Sequence, residues 1–146
     1  FYVEHNRGHH VRVATPEDPA SSRFGESFWE FLPRTVLGSL RSGWNLERNR
    51  LRRMGKRTFT LRNDVINAWA MTAVLWGVLI ALFGVGILPY LFIQAVFGFC
   101  LLEAVNYLEH YGLVRQQLPN GRWERVSPRH SWNNNNLTTN LFLYHL

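Results

Sequence analysis

"VINAWAMTAVLWGVLIALFG" (residues 65–84) is followed, after Val85 and Gly86 alone, by "ILPYLFIQAVFGFCLLEAVN" (residues 87–106), and these two runs decide the fold. As a helix rising about 1.5 Å per residue, each covers a hydrocarbon core roughly 30 Å thick. Between residues 65 and 105 the only ionisable side chain besides Cys100 and Tyr90 is Glu103. A two-residue connection forces an antiparallel helical hairpin whose outer ends emerge on one side of the membrane. The predicted fold is all-α: an integral-membrane helix bundle in which these two transmembrane helices form part of a larger whole.

Charge assigns the side. Residues 34–62 carry nine Lys or Arg against the single Glu47, directly before the first span. The positive-inside rule puts that block, and with it the whole of residues 1–64, in the cytoplasm. The second span then returns residues 107–146 to the same face. Within the basic segment, Phe28, Phe31, Leu32, Val36, Leu40, Trp44 and Leu51 fall near one helical face and arginines opposite. This predicts a cytoplasmic amphipathic helix, bent or broken near Pro33 and Gly43. A net charge of +6 also raises nucleic acid as a partner, but the apolar runs favour membrane lipid. The lone Cys100 excludes an intrachain disulfide and a cysteine-based zinc module.

Elsewhere the pattern is weaker. "ATPEDPASSRFG" (residues 14–25) reads as a Pro-containing linker with turn formers and no period. "LVRQQLPNGRWERVSP" (residues 113–128) predicts a small β-hairpin turning at Asn120-Gly121. "SWNNNNLTTNLFLYHL" (residues 131–146) predicts the start of another helix. The chain opens on Phe1 and stops inside an apolar pattern, so an internal fragment is expected.

Three of the six histidines lie in "EHNRGHH" (residues 4–10). Neutral imidazole is the commonest metal ligand. On a helix, His5 and His9 share a face, whereas His10 points about 140° from His5 and must serve a second metal or need local distortion. Glu4 and Arg7 are candidates to orient these rings from behind. In "EAVNYLEHYGL" (residues 103–113), Glu103, Asn106 and His110 line one helical face, with Glu109 off it. Glu103 sits about a turn inside the apolar run, where an ionisable group faces protein or a cavity. The topology delivers His110 to the same membrane face as His5, His9 and His10. All-imidazole donors suit zinc, iron or copper. His130 reads as a loop residue and His145 as a partner-satisfied histidine in an apolar helix.

These motifs carry a resemblance. "EHNRGHH" resembles the second histidine box, Glu-His-x-x-Gly-His-His, of the integral-membrane alkane 1-monooxygenases, and "NYLEHYGL" resembles their signature Asn-Tyr-x-Glu-His-Tyr-Gly-Leu. The box alone is shared with xylene-type hydroxylases. The resemblance covers the whole chain and implies one fragment of a membrane hydroxylase domain of the bacterial inner membrane. It further implies two non-haem iron ions, O2 and n-alkane as substrates, and rubredoxin as electron donor. His5, His9, His10 and His110 match iron ligands, and Glu4, Glu103, Asn106 and Glu109 are the polar residues expected to support them. The family's first and third histidine boxes are missing here, so four ligands cannot complete two metal sites and the fragment alone is expected to be inactive. The alternatives are a xylene-type methyl hydroxylase and a non-catalytic membrane anchor whose basic helix binds lipid or a partner.

Overall fold

The structure, a computed structural model, describes residues 2–132 and residue 136. The named elements among the described residues are all helical, in the order α1 (Tyr2–Glu4), a π-helix (His5–His9), α2 (His10–Arg12), α3 (Phe28–Arg53), α4 (Asp64–Phe83), a 3-10 turn (Val85–Ile87), α5 (Leu88–His110) and a second 3-10 turn (Pro128–His130). The helix expected at the end of the chain, with His145, lies outside the described residues.

Helices α4 and α5 are long and apolar enough to cross a membrane, and their apolar stretches bury almost no side chain within the chain. Asn63 caps α4 by accepting from Val65 N (3.0 Å) and Ile66 N (3.3 Å). The helix ends at Gly84, whose φ of 77° is left-handed. Pro89, in the first turn of α5, lacks an N–H that would have had no intrahelical acceptor. α5 runs four residues beyond the apolar run and so carries Asn106 and His110 on one continuous helix.

The 26 residues of α3 form one unbroken helix through both Pro33 and Gly43. A capping box starts it: Ser27 N–H donates to Glu30 Oε2 (2.9 Å) and Glu30 N–H to Ser27 Oγ (3.4 Å). At the other end Lys56 N–H returns to Leu51 O (2.9 Å) and Gly55 N–H to Arg52 O (3.0 Å), with Gly55 left-handed, a Schellman closure. The buried stripe shares only Phe31 and Leu51 with the predicted face. Phe31, Thr35, Ser39, Gly43, Glu47 and Leu51, spaced every four residues, are buried, whereas Leu40 is 52% exposed. Close approach explains the difference. The first helical segment packs directly on this stripe, and a Cβ at Gly43 would lie 3.6 Å from Glu4 Cβ. Bulky apolar residues would hold the two apart at mid-helix, so Thr35, Ser39 and Gly43 face inward there between Phe31 and Leu51.

The predicted β-hairpin also needs correction, because no strand occurs among the described residues. One antiparallel bridge joins Gln117 to Trp123, closed by Leu118 N–H to Arg122 O (2.8 Å) around Gly121. A largely exposed two-residue-wide ladder with no third strand or packed face has little to extend it.

Residues 13–27 are not a loose linker. Ser22 Oγ donates to Tyr107 O (2.6 Å), Gly112 N–H to Ser22 O (3.1 Å), and Tyr107 Oη to Glu26 O (2.7 Å). Arg115 N–H donates to Ala14 O (2.7 Å) and its guanidinium to Val11 O (2.8 Å). The segment clamps the end of α5 against the histidine cluster.

The start of α4 is held by charge. Buried Glu47 accepts from Arg7 Nη1 (3.1 Å), Arg50 Nε (2.8 Å) and the Asp64 N–H (2.8 Å), and Arg7 Nη2 reaches Asp64 (2.9 Å). Arg7 is therefore a clamp between three elements and orients no histidine. The outer ends of α4 and α5 both meet the short segment that carries "EHNRGHH".

Candidate metal centre

The local backbone of "EHNRGHH" departs from an α-helix where the histidines lie. His10 N–H donates to His5 O, five residues back, and Val13 N–H to His9 O (2.6 Å). A wider turn brings residue i+5 back over residue i, so His10 does not point away from His5. Their Nε2 atoms are 3.2 Å apart. Single π-turns inside helices are frequent at functional sites, because they re-aim a side chain by one position. Gly8 makes room for the turn: a Cβ there would overlap the Glu4 carboxylate, which lies buried against Arg12 (2.7 Å).

Gly8→Ala is thus expected to push that carboxylate off Arg12 and to lower stability by about 1–3 kcal/mol, as overpacked sites do. Thermal unfolding of the full-length protein checks this, and adding Glu4→Ala should restore part of the loss. An unchanged midpoint for Gly8→Ala would show that the space is not needed.

His110, a hundred residues on in the chain, completes the group. Ring centroids lie 5.0 Å apart for His9 and His110, 5.5 Å for His5 and His9, 4.6 Å for His5 and His10, and 5.7 Å for His9 and His10. All four sequence candidates are brought together. Burial first, and the neighbouring imidazoles second, hold His5 and His10 below the ordinary histidine value, so both are neutral near pH 7.

The two buried rings, His9 and His110, are each fixed through Nδ1. His9 Nδ1–H donates to Asp18 Oδ2 (2.8 Å), and His110 Nδ1–H to the backbone carbonyl of His130 (3.2 Å). A carbonyl only accepts, which sets the His110 tautomer and leaves Nε2 as its lone-pair nitrogen. Asp18 does the same for His9. It is itself held by Ser21 Oγ (2.6 Å) and Ala20 N–H (3.2 Å), and Ser21 Oγ accepts from Ala14 N–H (2.8 Å). Burial pushes the Asp18 carboxyl up, but the hydrogen bonds from His9, Ser21 and Ala20 outweigh it, and the net shift is downward.

The residues expected to support the histidines take other partners. Glu4 pairs with Arg12; Glu103 accepts from Thr35 Oγ1 (2.8 Å) and Asn106 Nδ2 (3.5 Å). Glu109 stands 4.0 Å from His110 Nε2, beyond hydrogen-bond reach. Asp18 and His130, which do support the rings, carry weak sequence signals. His130 is buried, its own ring held by Ser127 N–H (2.9 Å) and Glu124 (3.1 Å), so only its carbonyl serves the site.

Among the described residues no three His, Cys, Asp or Glu side chains are drawn closely enough to enclose an ion by themselves. The donor set nevertheless fits a metal in kind. Two nitrogens bound about 2.1 Å from one ion lie roughly 3 Å apart, close to the His5–His10 separation. Facing lone pairs at that distance need a proton or a cation between them. Tethering Nδ1 to a carboxylate or carbonyl is the usual support of a ligating histidine.

The model of the fatty acid desaturase family matches residues 1–146, the entire chain. The chain belongs to the fatty acid desaturase family. Among curated members, it is 54% identical over 146 residues to the alkane 1-monooxygenase of Acinetobacter baylyi and 49% identical to alkane 1-monooxygenase 1 of Alcanivorax borkumensis, in each case over 100% of this chain and 36% of the relative. The hydroxylase component XylM of a xylene/toluene monooxygenase from Pseudomonas putida is 26% identical over 131 residues, 90% of this chain and 34% of the relative. This desaturase-family chain therefore spans about a third of the length of the curated relatives it matches.

Proposed function

We propose that this chain is the part of a membrane alkane 1-monooxygenase that supplies four of the imidazoles of a non-haem di-iron centre: His5, His9, His10 and His110. The observation that carries the reading is the convergence of "EHNRGHH" with His110, both buried rings being tethered through Nδ1. The name of the relatives, alkane 1-monooxygenase, supports the reaction RCH3 + O2 + 2e⁻ + 2H⁺ giving RCH2OH + H2O; rubredoxin as electron donor is part of our reading and follows from the motif resemblance.

The chemistry that bound iron supplies is reductive activation of O2 and insertion of one oxygen atom into a terminal C–H bond. The chain's own residues do the rest. Asp18 and the His130 carbonyl keep Nε2 of His9 and His110 free to ligate. Thr35, Glu103 and Asn106 form a polar patch between α3 and α5, and the apolar helices offer surroundings suited to a substrate with no polar handle. On this reading α4 and α5 form an antiparallel hairpin in the bacterial inner membrane, with the basic segment and the histidines on the cytoplasmic side. Four imidazoles leave two irons short of ligands, so the 146 residues alone are inactive.

The test uses the full-length protein in membranes. The expected result is about two irons per chain and conversion of octane to 1-octanol in the presence of rubredoxin and a reductant. Protein that folds in the membrane yet takes up no iron is a non-catalytic anchor, and the reading falls. A second reading, methyl hydroxylation of xylene type, is favoured by the similarity to XylM. Turnover of p-xylene without turnover of octane would select it.

A further inference from the structure

The loop between α3 and α4, residues 54–63, exposes large apolar side chains beside a dense set of cations. Met54 is 50%, Phe59 81% and Leu61 74% exposed; Lys56 and Arg57 stand between the first two and Arg62 follows the third. Exposure of this kind in a flexible loop would mean little, but here the backbone is pinned from both ends. Lys56 N–H closes α3, Arg50 holds the Arg62 carbonyl (2.8 Å), and fully buried Asn63 holds the Thr58 carbonyl (3.0 Å) while capping α4. The fold holds Phe59 and Leu61 outward.

Two further observations say what they face. The loop ends at Asp64, the first residue of a helix long enough to cross a bilayer. Trp44 of α3 packs on Phe59 (5.5 Å) and stacks on Trp69 (6.3 Å, planes 12° apart). Trp69 lies about 7.5 Å along α4 from Asp64, the depth at which aromatic rings gather at a membrane–water boundary. Among the described residues the cations also lack carboxylate partners. The nearest carboxylates, Glu47 and Asp64, are taken by Arg7 and Arg50, and among the described residues no ion pair reaches Lys56, Arg57 or Arg62. Apolar tips with unpaired cations behind them match the layering of an anionic phospholipid leaflet, acyl chain below phosphate.

We propose that residues 54–62 form a rigid interfacial wedge in which Met54, Phe59 and Leu61 enter the acyl boundary and Lys56, Arg57 and Arg62 bind the phosphates of anionic phospholipid. The proposal rests on reading α4 as a membrane span. It adds a lipid site to that reading at a place where the metal centre plays no part.

Full-length protein in nanodiscs tests it, with nitroxide labels at Phe59→Cys and, in mid-α4, at Leu75→Cys on a cysteine-free background. Accessibility to oxygen and to a water-soluble nickel chelate should place the Phe59 label at the headgroup boundary and the Leu75 label deep in lipid. In discs of mixed phosphatidylcholine and phosphatidylglycerol, retention of phosphatidylglycerol should fall about fivefold for each of Lys56→Gln, Arg57→Gln and Arg62→Gln. A Phe59 label in open water, or one shielded from both reagents by protein, overturns the proposal while a lipid-buried Leu75 keeps the span. Unchanged phosphatidylglycerol retention overturns it too. A Leu75 label outside lipid removes the membrane reading itself, and the wedge with it.

Discussion

Asp18→Asn in the full-length protein is expected to weaken iron binding by about 10- to 100-fold, the usual cost of removing the group behind a ligating histidine. The side chain is close in shape, and its amide oxygen can still accept from His9 Nδ1–H. What it lacks is charge and a second acceptor, because its Nδ2 meets the Ala20 N–H that Oδ1 now accepts. Among the described residues the carboxylate is the only anion bonded to the His9 ring, at 2.8 Å, and it is buried and itself held by Ser21 and Ala20. His9→Ala, by contrast, removes a donor outright and should lower iron occupancy beyond recovery by added metal. Equilibrium competition with a chelator separates the two: the Asn variant should give a shifted curve, the Ala variant a reduced plateau. A wild-type curve for Asp18→Asn would mean that the Asp18 bond merely packs the loop.

Glu47→Gln is expected to cost about 2–3 kcal/mol of stability, less than the full penalty for breaking a buried ion pair because Arg7 and Arg50 are 42% and 34% exposed and can recover water. An amide cannot accept from two guanidiniums and the Asp64 N–H while keeping its own N–H groups satisfied in a site with no exposure. The Arg50 hydrogen bond is the chief reason why the Glu47 carboxyl is held below its ordinary value of 4.5. Its contribution is therefore present in full above pH 4.5 and lost as the pH falls through the lower folded value. Thermal unfolding followed by tryptophan fluorescence should show wild type losing this increment on acidification, with the Gln variant having none to lose. Equal midpoints at pH 7 would show that the clamp is only decorative.

The helices that cross the apolar runs were legible because length and the absence of charge are local properties; α4 begins and ends within a residue of the expected span. The clustering of the histidines was legible but not its shape. At α-helical spacing His10 faces away from His5, and only the five-residue hydrogen bond to His5 O reverses that. Asp18 was hidden because its role belongs to a loop conformation that brings it back to His9, nine residues earlier. The available hint was the run of Thr15, Asp18, Ser21 and Ser22, all buried here despite their polarity. The His130 contribution is a main-chain carbonyl, which no residue type announces. On α3 the hydrophobic period pointed to the bulky residues, while the packed face was chosen by how closely Glu4 and Pro19 approach Gly43 and Gly38.

The Arg7–Glu47–Asp64 clamp ties the first turn of α4 to the π-turn that carries three histidines. With α4 as a span, its 20 residues cover about 30 Å, so it matches an average hydrocarbon core with little tilt to spare. A thinner bilayer forces such a helix to lean, and Arg7 ties Asp64 to the backbone turn on which His5, His9 and His10 stand. On the proposed metal reading, membrane thickness becomes a mechanical input to the histidine turn, and lipid chain length a variable that reaches it without touching it.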